Sequence, residues 1–230
     1  MRQLPLGVRL RDRASFQSFH PASNLVTFSV LRQIAGAQRS GMFWLAGPRG
    51  TGKSHLLQAL CATAAHERSA AFLPLRELAA SDPAVLGGWS QSHCVCVDDI
   101  DAVLGDLRWE RALFNLHREL EEQGATLLIS AMLPPRQLKF ALPDLASRCA
   151  AALLLTLNGL NEDEQRAALQ LHAEVRGLEL PEESANYLMR RVARDMEQLV
   201  ALLEQLDLAA LEAQRRLTIP FVREVLERSG

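Results

Sequence analysis

The sequence has few aromatic residues, almost no net charge and no long hydrophobic run. Aromatic side chains make up 5% of the 230 residues, so aliphatic side chains must fill the core. The formal net charge of −2 argues against a dedicated DNA-binding surface, which usually carries a basic excess. No apolar run approaches the ~20 residues of a membrane-spanning helix, and the N-terminus lacks the apolar core of a signal peptide. These absences predict a cytoplasmic protein that has no contact with the membrane.

The cysteines are too scattered for a metal site. Cys61 lies in an apolar helical stretch, Cys94 and Cys96 lie in an apolar strand-like run, and Cys149 stands alone. A structural zinc site needs a second closely spaced Cys or His pair, and none is obvious. We therefore expect four buried free thiols, which fits a reducing compartment.

Short apolar runs alternate with helical stretches over the first two-thirds of the chain. Strands are predicted at residues 42–46, 70–75, 94–97, 126–130 and 151–157, and helices at 54–65 and 107–123. Strands that alternate with helices predict an α/β fold in which a five-stranded parallel sheet carries helices on both faces.

The pattern becomes purely helical from Asn161 onward. Asn161 and Glu164 have the spacing of a capping box, and Pro181 and Pro220 stand where helices begin. The predicted helices are 162–176, 182–193, 195–215 and 219–227. We therefore predict a tail at 1–12, an α/β nucleotide-binding domain at 13–158 and a small C-terminal helical lid domain at 159–230.

A phosphate-binding loop lies between the first predicted strand and the helix after it. Its sequence is Gly47-Pro48-Arg49-Gly50-Thr51-Gly52-Lys53-Ser54, a full G-x-x-x-x-G-K-[ST] match. Glycines let the backbone curl so that its N–H groups face phosphate oxygens, and the helix adds its positive end. Lys53 can reach the β and γ phosphates, and the Ser54 hydroxyl can bind magnesium. The pattern predicts bound ADP or ATP with Mg²⁺.

Two carboxylates follow the third predicted strand. Asp98 is expected to reach the magnesium at the carboxyl edge of the sheet. Asp99 is a candidate general base for the attacking water, and the other interpretation is a solvated loop or helix cap. Many ATPases with this loop have Glu at the second position. Because Asp is shorter by one methylene, we expect slow hydrolysis.

Several longer segments resemble the DnaA-like AAA+ family of P-loop NTPases. They are 16–19 with Asn24, 127–130 with the run Pro-Pro-Arg-Gln-Leu at 134–138, Leu-Pro-Asp-Leu-Ala-Ser-Arg at 142–148, 192–196, and Leu-Thr-Ile-Pro-Phe-Val at 217–222. Three of these runs are most similar to the Hda-like regulatory inactivators of DnaA. The resemblance spans almost the whole chain and implies an AAA+ module with a helical lid.

This resemblance implies a negative regulator of DNA replication initiation that has no dedicated DNA-binding domain. Such a protein meets DnaA through AAA+–AAA+ contacts and stimulates hydrolysis of DnaA-bound ATP. Arg148 is then the arginine finger given in trans, although it could instead pair with Asp144 in a surface turn. Arg194 is the lid residue expected to touch the chain's own nucleotide. Pairing with a second copy of the chain and the choice between ADP and ATP stay open.

The chain departs from the family pattern at the tip of the fourth strand. Met132 and Leu133 stand where the family has an Asp-Arg-like pair, and Ser130 is the candidate substitute. A methionine cannot orient a water, so we expect weak or no ATPase activity from the protein alone. The alternatives are a stand-alone AAA+ ATPase or helicase loader, and a P-loop kinase, which would leave Arg148 unexplained.

The N-terminal tail resembles the short peptide that docks on the DNA polymerase sliding clamp, its beta subunit. The run Gln3-Leu4-Pro5-Leu6-Gly7-Val8 stands beside the family pattern Gln-Leu-x-Leu-x-Leu. In an extended segment Leu4 and Leu6 project to one side and can fill one groove. Gln3 supplies a polar anchor. The resemblance therefore implies a bacterial protein that associates with the nucleoid through the clamp.

Overall fold

The computed structural model describes residues 14–191, 196–213 and 215–229, which fall into two units. The first unit holds residues 14–16 and 24–158, and the second holds residues 17–23 and 159–229. The short segment 17–23 therefore groups with the C-terminal helices, although it precedes the first strand in the sequence.

The first unit is a parallel sheet with helices between its strands. Its elements are α1 Leu25–Ala35, β1 Gly41–Ala46, α2 Lys53–Ala64, β2 Ala70–Pro74, α3 Leu75–Leu78, β3 Cys94–Asp98, α4 Leu107–Glu122, β4 Thr126–Ala131, α5 Pro143–Ala151 and β5 Leu153–Thr156. The strand order is β2-β3-β4-β1-β5, and every neighbouring pair is parallel. This confirms the predicted five-stranded parallel sheet.

Both faces of the sheet are buried by helices, as the continuous apolar strands require. Val95 and Val97 of β3 lie in one core cluster with Leu113 of α4 and Leu145 of α5. Strand residues alternate between faces, so the intervening cysteines of β3 lie on the opposite face, where α2 packs against β3. All four cysteines are buried free thiols, as predicted. Within the described residues no three His, Cys, Asp or Glu side chains are grouped as a metal site.

Helices α1 and α5 were not among the predicted elements. Pro143 occupies the first turn of α5, where its missing N–H costs nothing and its fixed φ favours a helix. Because α5 extends to Ala151, β5 begins only at Leu153, two residues later than predicted. Arg148 therefore lies on a helix rather than in a surface turn.

The described residues of the second unit contain helices and no strand. Its α-helices are α6 Glu162–Glu174, α7 Glu182–Arg191, α8 Met196–Ala213 and α9 Ile219–Ser229. The capping box is confirmed: the Glu164 amide donates to Asn161 Oδ1 and the Asn161 amide donates to Glu164 Oε2, each at 2.9 Å. Buried leucines of α6, α7 and α8 form its core with Phe221 of α9. Among the described residues, no helix is both long and apolar enough to cross a membrane.

Replacement of Asn24 by alanine should destabilise the first unit. The Asn24 side chain accepts from the Asn158 amide at 2.7 Å and donates to the Asn158 carbonyl at 3.2 Å. Leaving both groups without a partner should cost ~1–3 kcal/mol. Denaturation followed by tryptophan fluorescence reports on this unit, because Trp44, Trp89 and Trp109 all belong to it.

Gln38→Ala is the control for this measurement, because it removes an exposed amide side chain of the same unit. It should lower the unfolding midpoint by much less than Asn24→Ala does. An Asn24→Ala variant as stable as the wild type would mean that the pair contributes nothing to the fold.

Candidate functional site

The loop after β1 needs glycine at three positions. A Cβ atom added to Gly47 would lie 2.8 Å from the Leu157 carbonyl oxygen, too close for any side chain. Gly50 and Gly52 have φ angles of 75° and 87°, which glycine adopts without strain. The Gly47 amide donates to the Ala131 carbonyl of β4 at 3.2 Å, which holds the start of the loop to the sheet. The loop is thus shaped by backbone geometry, as its motif requires.

Lys53 begins α2, and its ammonium group bends back over this loop. Its Nζ donates to the carbonyls of Gly47 at 2.6 Å and Pro48 at 2.9 Å. The side chain is only 6% exposed, and burial lowers the pKa of Lys53, while the charges of Asp99 and Asp98 oppose this. A buried ammonium next to the first turn of a helix is chemically suited to bind a phosphate.

Asp98 ends β3 and is nearly buried. The Ser130 hydroxyl, fully buried in β4, donates to Asp98 Oδ1 at 2.5 Å and accepts from the Asp99 amide at 2.9 Å. Burial raises the pKa of Asp98, and hydrogen bonds from Ser130 and Ser54 oppose that shift. Ser130 thus contacts both acidic residues, and its role as the substitute for the missing polar tip of β4 stays a prediction.

The oxygen atoms of Ser54 and Asp98 fit a magnesium ion. The two side chains are close enough for a hydrogen bond between them, and one comes from the phosphate loop while the other ends a strand. A hydroxyl and a carboxylate are hard oxygen donors, the type that Mg²⁺ prefers beside phosphates.

Asp99 is already engaged by an arginine that the sequence did not reveal. Arg76 of α3 donates from Nε to Asp99 Oδ2 at 2.9 Å. The hydrogen bond to Asp99 and its charge raise the pKa of Arg76. Asp99 has a φ of 55°, a left-handed conformation that Asp tolerates better than most residues. The candidate general base therefore faces a guanidinium group in this structure.

The tip of β4 is fixed through its backbone, while its side chains are apolar. The Met132 amide donates to Asp101 Oδ2 at 2.9 Å, and Trp44 Nε1 donates to the Leu133 carbonyl at 3.0 Å. The side chains of Met132 and Leu133 are both partly exposed. This arrangement fixes the tip but offers no polar side chain there to a γ-phosphate.

Arg148 lies on α5 and pairs with a residue of α4. It is distant from the phosphate loop in the sequence and lies on a different element. Its Nη1 is 3.4 Å from both carboxylate oxygens of Glu121, and about half of its side chain is exposed. The partner is thus Glu121 rather than Asp144, the residue considered from the sequence. Leu145 and Cys149 of α5 are completely buried, so the helix that carries Arg148 is anchored in the core.

Four predicted site residues lie outside the described residues. They are Arg194 of the lid and Gln3, Leu4 and Leu6 of the tail. Their assignments stay predictions.

Replacement of Asp98 by asparagine should stabilise the ligand-free protein and abolish the effect of Mg²⁺ on nucleotide affinity. The raised pKa of Asp98 means that the folded state disfavours its charged form. The wild type should therefore lose stability relative to the variant as the pH rises above 3.8, the usual value for the group. Thermal unfolding across pH and titrations of nucleotide with and without Mg²⁺ measure the two effects.

Asp82→Asn provides the control, because it removes a well-exposed carboxylate whose capping role asparagine can keep. This variant should respond to Mg²⁺ like the wild type. If Asp98→Asn lowered the unfolding temperature at neutral pH, the charge of Asp98 would be stabilising the fold, contrary to this account.

Comparison with known proteins bears on both units. Residues 162–226 match the family model described as Hda, lid domain. Domain III of the replication initiation protein DnaA from Thermotoga maritima superposes with a TM-score of 0.76 at 19% identity, covering 96% of this chain and 98% of that chain. AMPPCP-bound DnaA from Aquifex aeolicus gives a TM-score of 0.67 at 18% identity over 87% of this chain and 68% of that chain.

A motor protein has a similar fold. The Thermotoga maritima RuvB Holliday junction branch migration motor gives a TM-score of 0.63 at 15% identity, covering 91% of this chain and 69% of that chain. At such identities the structural likeness establishes the fold alone, which the chain shares with domain III of DnaA and with RuvB. Residues 162–226 of the helical second unit match a lid domain of the Hda type.

Proposed function

We propose that this protein is a negative regulator of DNA replication initiation that stimulates the hydrolysis of ATP bound to DnaA. The DnaA-like fold and the Hda-type lid support DnaA as the partner, because related modules can pair through matching surfaces. The observation that carries the proposal is Arg148, half exposed on a helix that the fully buried Leu145 and Cys149 anchor in the core.

The proposed role of Arg148 is to neutralise charge in the partner's active site. Phosphoryl transfer spreads negative charge over the phosphate oxygens, and an arginine given in trans contributes ~10³–10⁵ in rate in other NTPases. The ion pair with Glu121 is exposed, and exposed pairs are worth ~0–1 kcal/mol. Arg148 can therefore exchange Glu121 for a phosphate oxygen at little cost, while α5 keeps its backbone in place.

The phosphate loop is proposed to hold ADP or ATP. Backbone N–H groups of residues 47–54 and the ammonium of Lys53 would bind the phosphates, and Arg194 of the lid would add a further contact. Ser54 and Asp98 would hold Mg²⁺, which neutralises phosphate charge when bound. The AMPPCP bound to the similar DnaA of Aquifex aeolicus supports an adenine nucleotide.

Hydrolysis of this chain's own nucleotide is proposed to be slow. A general base must be aimed at the water within hydrogen-bond reach, and the Asp99 carboxylate is oriented by its contact with Arg76 through Oδ2. The apolar side chains of Met132 and Leu133 offer no second group to position that water. Both features argue against the alternative of a stand-alone ATPase and favour a bound nucleotide that keeps the module in shape.

Clamp association is the remaining part of the proposal. Gln3, Leu4 and Leu6 would bind the beta subunit of the sliding clamp, which would bring the protein to replicating DNA in the cytoplasm. The support for this part is the tail sequence itself.

Replacement of Arg148 by alanine should remove the stimulation of DnaA. With ATP-bound DnaA and clamp loaded on DNA, the variant should stimulate hydrolysis at least about a thousandfold less than the wild type, since a finger is worth ~10³–10⁵. The measurement is conversion of DnaA-bound ATP to ADP. A reaction without DnaA measures the protein's own turnover, which should be low for both.

Arg108→Ala is the matched control, because Arg108 is another exposed arginine of the same unit and also has a carboxylate partner, Asp82. It should leave the stimulation unchanged. Equal stimulation by Arg148→Ala and the wild type would reject the finger role.

Deletion of residues 1–8 should weaken clamp binding. Loss of two leucine anchors should reduce the affinity for the isolated clamp by at least about tenfold, which corresponds to 1.4 kcal/mol, without changing nucleotide binding. Surface-immobilised clamp and the purified variant give the measurement directly. Leu10→Ala, an apolar change just outside the peptide, should bind like the wild type, and an unaltered affinity of the deletion variant would refute the tail assignment.

A further inference from the structure

A buried carboxylate on α4 is used by neither the phosphate site nor the ion pair of Arg148. Glu110 lies in the first turn of α4, and none of its surface is exposed. No described residue forms an ion pair with it. A charge buried in this way is costly unless hydrogen bonds compensate it.

Three backbone amides supply that compensation. Glu110 Oε1 accepts from the Gly105 amide at 2.8 Å and from the Ala141 amide at 3.0 Å, while Oε2 accepts from the Leu142 amide at 2.6 Å. Hydrogen bonds to an ionised acceptor are about twice as strong as neutral ones. Both carboxylate oxygens are therefore committed to backbone groups, and two of the three belong to the connection between β4 and α5.

The two amides lie at the start of the helix that carries Arg148. Leu142 is the residue before Pro143, and no side chain caps this end of α5 within its own sequence. The proline has no N–H to donate. The hydrogen bonds from Ala141 and Leu142 to Glu110 are therefore the polar contacts that fix where α5 begins.

Helix α4 contacts α5 at a second, weaker point. Glu121, three turns after Glu110 on α4, pairs with Arg148 at 3.4 Å on the surface. Between the two points, Leu113 of α4 and Leu145 of α5 belong to one core cluster. The start of α5 is thus held by a buried charge, whereas the guanidinium group of Arg148 is held by an exposed contact that can be released.

We infer that Glu110 is a positioning residue for Arg148: its carboxylate sets the start of α5 and so the place from which the guanidinium reaches a partner's nucleotide. The inference rests on the proposed function of Arg148. It predicts that stimulation of DnaA depends on Glu110, although this residue lies on a different helix from Arg148.

The test is Glu110→Gln in the assay with ATP-bound DnaA and clamp on DNA. The amide keeps one oxygen but turns an NH₂ group toward at least one of the three N–H donors. Stimulation should fall by about tenfold to a hundredfold, because a displacement of ~1 Å of a catalytic group costs on the order of 10²-fold. Binding of a fluorescent ADP analogue to the protein's own site should stay unchanged, and the Ala141 and Leu142 amides should exchange with solvent faster.

Two further variants separate positioning from a general loss of structure. Asp106→Ala removes the N-cap of α4, whose carboxylate accepts from the Arg108 amide at 2.8 Å, without touching α5. It should weaken the same helix end and leave the stimulation near that of the wild type. Glu110→Asp keeps the charge but is too short for all three amides, so it should behave like Glu110→Gln and replaces it if the glutamine variant does not fold.

The double variant of Glu110→Gln with Arg148→Ala tests whether Glu110 acts through Arg148. If Glu110 acts through Arg148, the double variant should stimulate no less than Arg148→Ala alone. A further loss in the double variant, or full stimulation by Glu110→Gln despite faster exchange at Leu142, would overturn the inference and leave the finger intact. Full stimulation by Arg148→Ala would instead overturn the proposed function, and the inference with it.

Discussion

The carboxyl edge of the sheet depends on one hydroxyl group. Ser130 is fully buried in β4, donates to the carboxylate of Asp98 and accepts from the backbone of Asp99. A hydroxyl can do both at once, whereas an apolar side chain would remove one hydrogen bond from a buried carboxylate and one from an amide. Because β4 lies between β3 and β1, this hydroxyl also fixes the acidic residues relative to the loop after β1, whose first amide bonds to Ala131.

The site at this edge holds its charges at a cost to the fold. Burial raises the pKa of Asp98 and lowers that of Lys53, so desolvation disfavours the ionised form of each. The two charges reduce that cost for each other without a direct ion pair among the described residues. A site whose anion and cation are both underpaired can gain free energy from a ligand that supplies the opposite charges, such as a phosphate with its metal. The free energy that the fold loses by burying these two charges can thus be regained when such a ligand binds.

Local structure could be predicted from the sequence better than contacts between residues that are distant in the sequence. The alternation of strands and helices, the glycine loop and the capping box at Asn161 each depend on residues within a few positions, and all were found. Helix α5 was missed because Leu142-Pro143-Asp144 is also typical of a turn. The contact of Arg76 with Asp99 spans 23 residues, and nothing near Arg76 marks it as special. Glu110 left a weaker signal: it lies three residues before Leu113, on the apolar stripe of α4, where a charged residue needs a partner.

Glu110 and Glu121 of α4 hold the helix of Arg148, the proposed trans arginine, in two different ways. An arginine that reaches another protein needs a guanidinium group that can move and a backbone that is fixed. One contact cannot provide both. Glu110 fixes the backbone at the start of α5 through three buried hydrogen bonds. Glu121 leaves the guanidinium group free to move, because their ion pair is exposed. At the chain's own site Arg76 lies 2.9 Å from Asp99, whose side chain is 23% exposed, whereas Arg148 lies 3.4 Å from Glu121, whose side chain is 55% exposed. The carboxylate proposed to act on the chain's own nucleotide is therefore held more closely than the arginine proposed to act on a neighbour's.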